Sequence, residues 1–367
     1  MKHLPTPRRR DYDMLRVASM AAVVYLHTAP WDLRQQDDMA LWHFSNILAT
    51  LCTVAVPLFF MLSGALVLNS EKTADPRYVL RRRLPHVLVP FLAWSFLTLG
   101  FMWRREGFQA ALDKLLTMSY TTVLVPYWFL YALIPMYLLS PFLKPLVDAM
   151  KDIHWKYFFV LWGGVTLGLG TLRAFVPAPW SSLITENFTM GVSLLEGYLG
   201  YFLIGAWLER KRPAPPRRIL WTVLLVDWVI ICLGTWWDMA HGRGYSGRFL
   251  SYLGIFTAIL AAVIFLLAAS YWREGKGSGP LLKLLAASSF GVYLAHPYGI
   301  KVAERLIGLE GISGQLLTWL VALGGSLIGV ILVASIKPLC FLVTGQKFSA
   351  ACEESNLFAI FHRKKDN

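Results

Sequence analysis

The chain is laid out as long apolar runs separated by short polar segments. Runs long enough to cross about 30 Å of hydrocarbon fall near 14–30, 44–68, 84–103, 123–140, 157–176, 192–209, 219–237, 250–272, 281–301 and 315–343. None alternates apolar and polar residues in the way a transmembrane β-strand does. The pattern therefore predicts an all-α polytopic membrane protein, a bundle of about ten transmembrane helices. Its organisation reads as a basic cytoplasmic tail at 1–13, one ten-helix membrane domain at 14–343 and a second cytoplasmic tail at 344–367.

Composition agrees with that reading. Hydrophobic residues make up 56% of the chain and charged residues only 16%, against about 25% charged in a soluble domain. The net charge of +13 is gathered in short clusters between apolar runs, which fits membrane topology and argues against a nucleic-acid partner. With the N-terminus inside, 25 of the 35 Lys and Arg residues fall in inner segments, 9 in outer segments, and Arg16 lies within the first span. That asymmetry predicts a multi-pass protein with both termini cytoplasmic. Cys52, Cys232, Cys340 and Cys352 form no C-x-x-C pair. They read as small core residues, and no metal site is expected.

The first run carries Arg16 and His27 eleven positions apart. On an α-helix eleven residues rise about 16 Å and turn about 20° past three full turns, so the two side chains share a face. A central Arg costs roughly 2.5–3.5 kcal/mol to insert, which makes it a functional candidate unless it snorkels to the headgroups. On the same inner side as Arg16 lie the small pair Ser63-Gly64 and the entry to the third run, Arg81-Arg82-Arg83 with His86. Guanidinium forks and helix N-termini both bind phosphate, although positive-inside topology alone also accounts for such a cluster.

Toward the outer side lie His27, Tyr127, Trp128, Glu196, Tyr198 and His296. Matched depth suggests that Glu196 orients His27 as a base–carboxylate pair. Tyr127, Trp128, Tyr198 and His296 are candidates for the acceptor or oxyanion side. The first two equally suit an aromatic belt, and His296 a hydrogen-bonded structural role. Asp227, in the middle of the seventh run, needs a partner that the sequence does not name. A phosphate-binding inner mouth beneath a histidine suits a donor with a phosphate-rich head and a reactive end on a long arm. Coenzyme A thioesters have that shape.

Several motifs in order resemble one family. They are Arg16-x10-His27, then Val-Pro-Leu-Phe-Phe-Met-Leu-Ser-Gly64, and Arg83-Leu-Pro-His-Val-Leu-Val-Pro90. Trp128-Phe-Leu-Tyr-Ala-Leu-Ile, Tyr137-Leu-Leu-Ser-Pro141 and Ser289-Phe-Gly-Val-Tyr-Leu-Ala-His296 follow. Together they resemble the acyltransferase family 3 membrane proteins. The resemblance implies an O-acyltransferase of a bacterial inner membrane, in the first instance an O-acetyltransferase. It would take its acyl group from acetyl-CoA or another acyl-CoA, with no permanently bound cofactor. The acceptor would be a hydroxyl of a surface glycan or its lipid-linked precursor.

The resemblance implies essential roles for Arg16 and His27. Arg16, Ser63, Gly64, Arg82, Arg83 and His86 are then expected on the acyl-CoA, and His27 and Glu196 at the chemistry. Where family members often carry Arg-x-x-Arg, this chain has Arg83-x-x-His86. His27 is expected to act as general base, its ordinary pKa of about 6.5 suiting proton transfer near neutrality. An acyl-His27 intermediate is a variant of that scheme. From a different class, a non-catalytic carrier or an assembly subunit for a lipid-linked glycan would also use intramembrane charges.

Overall fold

A computed structural model describes residues 9–29, 33–34, 37–177, 180–181, 197–244, 247–273 and 277–349. The chain is an all-α polytopic membrane protein, and the described residues contain no strand. Among them, seven helical stretches are long and apolar enough to cross a membrane: Met39–Val67, Pro76–Glu106, Val125–Ala149, Asp152–Phe175, Arg217–Ala240, Ile255–Trp272 and Gly311–Ala334. Three other expected spans coincide with helices that are more polar or shorter. Arg10–Thr28 carries four charged side chains, Leu199–Lys211 has 13 residues, and Pro280–Leu306 carries Lys283, Lys301, Glu304 and Arg305.

The described residues divide into two compact units. The first comprises 1–71 and 142–277. It contains α1 (Arg10–Thr28), α2 (Met39–Cys52) and α3 (Ala55–Val67). The second comprises 72–141 and 278–367. It contains α4 (Pro85–Glu106), entered through a turn at Pro76–Tyr78 and a π-helical turn at Val79–Arg83, and α5 (Phe108–Thr117). Next in the chain is α6 (Trp128–Ala149), whose residues 142–149 belong to the first unit. The first unit continues with α7 (Asp152–Trp162), a π-helical stretch at Gly163–Leu169, α8 (Gly170–Phe175), α9 (Leu199–Lys211), α10 (Arg217–Ala240) and α11 (Ile255–Trp272). The second closes with α12 (Pro280–Leu306), α13 (Gly311–Ala334) and α14 (Lys337–Thr344).

Of the boundaries that differ from the sequence expectation, three have a clear local reason. α1 begins at Arg10, not at 14, because Asp11 and Asp13 occupy its first turn, where carboxylates favour a helix N-terminus. The run 44–68 is two helices, broken at Thr53–Val54. Pro57 cannot donate to the Thr53 carbonyl four residues back, and the Thr53 hydroxyl donates to the Leu250 carbonyl at 3.3 Å. The run 315–343 is also two helices, with Pro338 in the first turn of α14, where its missing N–H is harmless.

Packing in the first unit centres on α3, which lies against α1, α9 and α11. The α3–α9 crossing is close enough to exclude side chains: a Cβ at Gly64 would meet the Phe202 carbonyl oxygen at 1.7 Å, and one at Gly205 the Met61 oxygen at 1.8 Å. Small residues bring membrane helices together in this way. In the second unit α12 packs on α13, and α14 lies against α4 and α13. A hydrocarbon-lined cavity of about 510 Å³ opens among these four, walled by Trp94, Tyr298, Gly325 and Val333.

Candidate active site

The first-unit candidates sit on α1, α3 and the start of α9. α1 runs unbroken from Arg10 to Thr28, so Arg16 and His27 keep the shared face that their spacing predicts. Both are half-buried. Arg16 lies 3.8 Å from the carboxylate of Asp13, one turn earlier, and that carboxylate is buried. Below them α1 is anchored at its N-terminal end. Arg9 pairs with Glu209 of α9 and with Asp11, and the Tyr12 hydroxyl donates to Glu209 Oε2 at 2.6 Å. Burial opposes the Arg9 charge, but its hydrogen bonds to Asp11 and Glu209 outweigh that cost and raise its pKa above the usual arginine value.

Gly64 lies inside the α3–α9 crossing, with Ser63 half-buried beside it. Tyr198, just before α9, stacks on Phe60 of α3, with ring centroids 4.7 Å apart at 17°. Glu196, the expected partner of His27, lies outside the described residues.

In the second unit, Arg81, Arg82 and Arg83 occupy the π-helical turn. Single π turns often mark functional sites. Arg81 and Arg82 are exposed. Arg83 is half-buried, its guanidinium carbon 5.7 Å from the Tyr78 ring centre, and its buried Nε has no hydrogen-bond partner among the described residues. His86 turns toward α14, where its Nδ1 bonds the carbonyl of Gly345 and its ring meets Phe341 edge-on. Gly345 tolerates that approach because it is in the left-handed region (φ 69°) and has no Cβ to strike the His86 carbonyl.

Tyr127 and His296 both bond carbonyls of α12 in the turn before Pro297. Pro297, inside α12, supplies no N–H to the Tyr293 carbonyl. His296 Nδ1 donates to that carbonyl at 2.5 Å. The next carbonyl, Leu294, accepts from the buried Tyr127 hydroxyl at 2.8 Å, and the Tyr293 hydroxyl bonds the carbonyl of Pro126 in return. The bond from His296 thus stands in for the backbone bond that Pro297 cannot make. One nitrogen of His296 and the hydroxyl of Tyr127 are therefore committed to structure. Trp128, half-buried, opens α6 beside them.

A half-buried histidine on one helix face with an arginine three turns away, in an all-helical membrane chain, is the arrangement against which comparison is informative. The acyltransferase-domain family matches residues 9–336. The chain belongs to this family. No curated protein and no solved structure matches it. The acyltransferase match begins at Arg9, beside α1, and ends at Ile336, in the break before α14. Every candidate above lies within it.

The acyltransferase also uses polar residues that the sequence reading passed over. Arg210 donates to the carbonyls of Leu68 and Val147, to Asn69 and to Asp148. Buried Lys144 holds both Asp148 oxygens, at 2.6 and 2.8 Å, and Glu71 at 3.1 Å. Lys144 was visible as an isolated charge just past an apolar run, whereas Arg210 was concealed in a basic loop. Among the described residues, no group of three or more His, Cys, Asp or Glu side chains is arranged to hold a metal.

Proposed function

We propose that this membrane acyltransferase is an O-acyltransferase, in the first instance an O-acetyltransferase, of the bacterial inner membrane with both termini cytoplasmic. Its donor would be a cytoplasmic acyl-CoA and its acceptor a hydroxyl of a surface glycan or a lipid-linked precursor. The family membership carries the acyl transfer; the shared face of Arg16 and His27 on α1 supports the assignment of roles. Within the family the sequence resembles the O-acetyltransferase of enterobacterial common antigen, which favours acetyl as the group moved.

In the proposed step the acceptor hydroxyl gives its proton to His27 as its oxygen attacks the thioester carbonyl. The tetrahedral oxyanion collapses, the carbon–sulfur bond breaks, and the thiolate leaves as coenzyme A thiol with the proton from His27. Glu196 would orient His27, and Arg16, Ser63, Gly64, Arg82, Arg83 and His86 would serve the donor. Tyr127, Trp128, Tyr198 and His296 are proposed on the acceptor or oxyanion side.

The test is acyl transfer by the purified chain in detergent, with coenzyme A release as readout. His27→Ala should retain acyl-CoA binding and lose roughly 10²–10⁴ in turnover, the scale of general acid–base catalysis. Near-normal turnover in a folded His27→Ala protein would overturn the mechanism and favour a carrier.

A further inference from the structure

A second basic site lies wholly within the first unit, where α9 ends, α10 begins and α11 ends. Its cavity, about 610 Å³, is bounded by the stretch Arg212-Pro-Ala-Pro-Pro-Arg217 and by Ser270, Tyr271 and Arg273. Arg212 and Arg217 are exposed, as the arginines of a charged loop would be. The Arg273 side chain, by contrast, is only 13% exposed, and its Nε and Nη2 have no hydrogen-bond partner among the described residues. Its nearest carboxylate among the described residues is Glu209, at 4.0 Å.

Glu209 is already occupied, by Arg9 and the Tyr12 hydroxyl on one oxygen and by Arg212, at 3.4 Å, on the other. Arg217 is fixed by a bond to the Ser270 carbonyl and lies 4.2 Å over the Tyr271 ring. The cavity thus has three guanidinium groups on its wall, two of which, Arg212 and Arg273, share one carboxylate. The N-terminus of the 24-residue α10 adds the positive end of its dipole. Buried guanidinium donors without acceptors are costly, and their planar forks match phosphate oxygens two at a time. The proline-rich wall holds the loop in few conformations.

We infer that this cavity is a phosphate-binding site, taking a phosphate monoester or diester onto Arg212, Arg217 and Arg273. Two sources share that chemistry: the phosphates of coenzyme A, an identification that rests on the proposed acyl transfer, and the headgroup of an anionic phospholipid.

The whole chain in detergent is the sample. Radiolabelled coenzyme A is measured by equilibrium dialysis, and retained phosphatidylglycerol by native mass spectrometry with phosphatidylcholine as the neutral control. The variant is Arg212→Gly with Arg217→Gln. Glycine suits the left-handed backbone at 212 (φ 46°), so that change removes the guanidinium without straining the turn. Each lost charge-assisted contact should weaken binding roughly 10- to 150-fold. A loss confined to coenzyme A identifies the donor as the source; a loss confined to phosphatidylglycerol identifies the lipid. If the double variant melts early, Arg212→Gly alone decides, since that side chain is 63% exposed. Equal binding by variant and wild type, or wild type binding neither ligand, would overturn the site. His27→Ala reports separately: normal transfer by that variant removes the mechanism and leaves the phosphate site standing.

Discussion

In the first unit the helix ends are tied by charge: Arg9 and Arg273 around Glu209, and Lys144 and Arg210 around Asp148. In the second, α12 is tied within the span by neutral groups. Tyr127 and His296 bond backbone carbonyls in the turn before Pro297, and Tyr293 bonds the carbonyl of Pro126. The contrast follows the cost of burying charge. At helix ends water and headgroups lie close, so an ion pair keeps part of its solvation. Farther into hydrocarbon an uncompensated charge is expensive, whereas a hydroxyl or imidazole meeting a carbonyl is not. Asp227, buried in the middle of α10 with Oδ2 unbonded among the described residues, departs from this division.

Asp148→Ala tests the charged ties most severely. It deprives buried Lys144 of its bidentate partner and Arg210 of one of four bonds. Breaking a fully buried pair costs about 3–5 kcal/mol. The Asp148 side chain is 41% exposed, so solvent screening lowers the expected loss to about 2–3 kcal/mol. Thermal unfolding in one detergent measures it. A loss no larger than that of a surface control would show that water already serves Lys144.

The neutral ties are sharpened by a double-mutant cycle. His296→Leu alone removes the bond to the Tyr293 carbonyl and should cost about 1–3 kcal/mol. Pro297→Ala returns an N–H four residues after Tyr293, so in that background His296→Leu should cost at least about 1 kcal/mol less. Equal costs in both backgrounds would mean that the histidine does not compensate for the proline.

The smallest effect is expected from Asp227→Asn. Removing an intramembrane charge that has one unbonded oxygen should change stability by less than about 1 kcal/mol, in the stabilising direction. A clear loss of melting temperature would reveal a partner for that carboxylate and return Asp227 to the general pattern.

Helix positions were legible in the sequence because burial in a bilayer demands long apolar runs, and those runs are local. The breaks at Pro57 and Pro338 were hidden because the hydrophobicity on either side is continuous. The Arg16–Asp13 pair was readable from helical spacing. The reach of Arg210 to Leu68 and Val147 was not, because topology charges and structural arginines look alike along a chain. His296-Pro297 stood out as a motif, but only the fold shows which carbonyl the proline leaves for the histidine. The expected pairing of His27 with Glu196 rested on depth, and Glu196 falls outside the described residues.

The π-helical turn at Val79–Arg83 has a consequence for counting. It takes up about one residue more than an α-helical turn of similar rise. A chain lacking that bulge would superpose on α4 without a gap, yet its upstream basic residues would be one position out of step. One position is about 100° around a helix. Intervals between the arginines of this turn and the residues of α4, such as Arg82 to His86, therefore do not convert directly into faces. Here an alignment of letters and an alignment of directions give different answers.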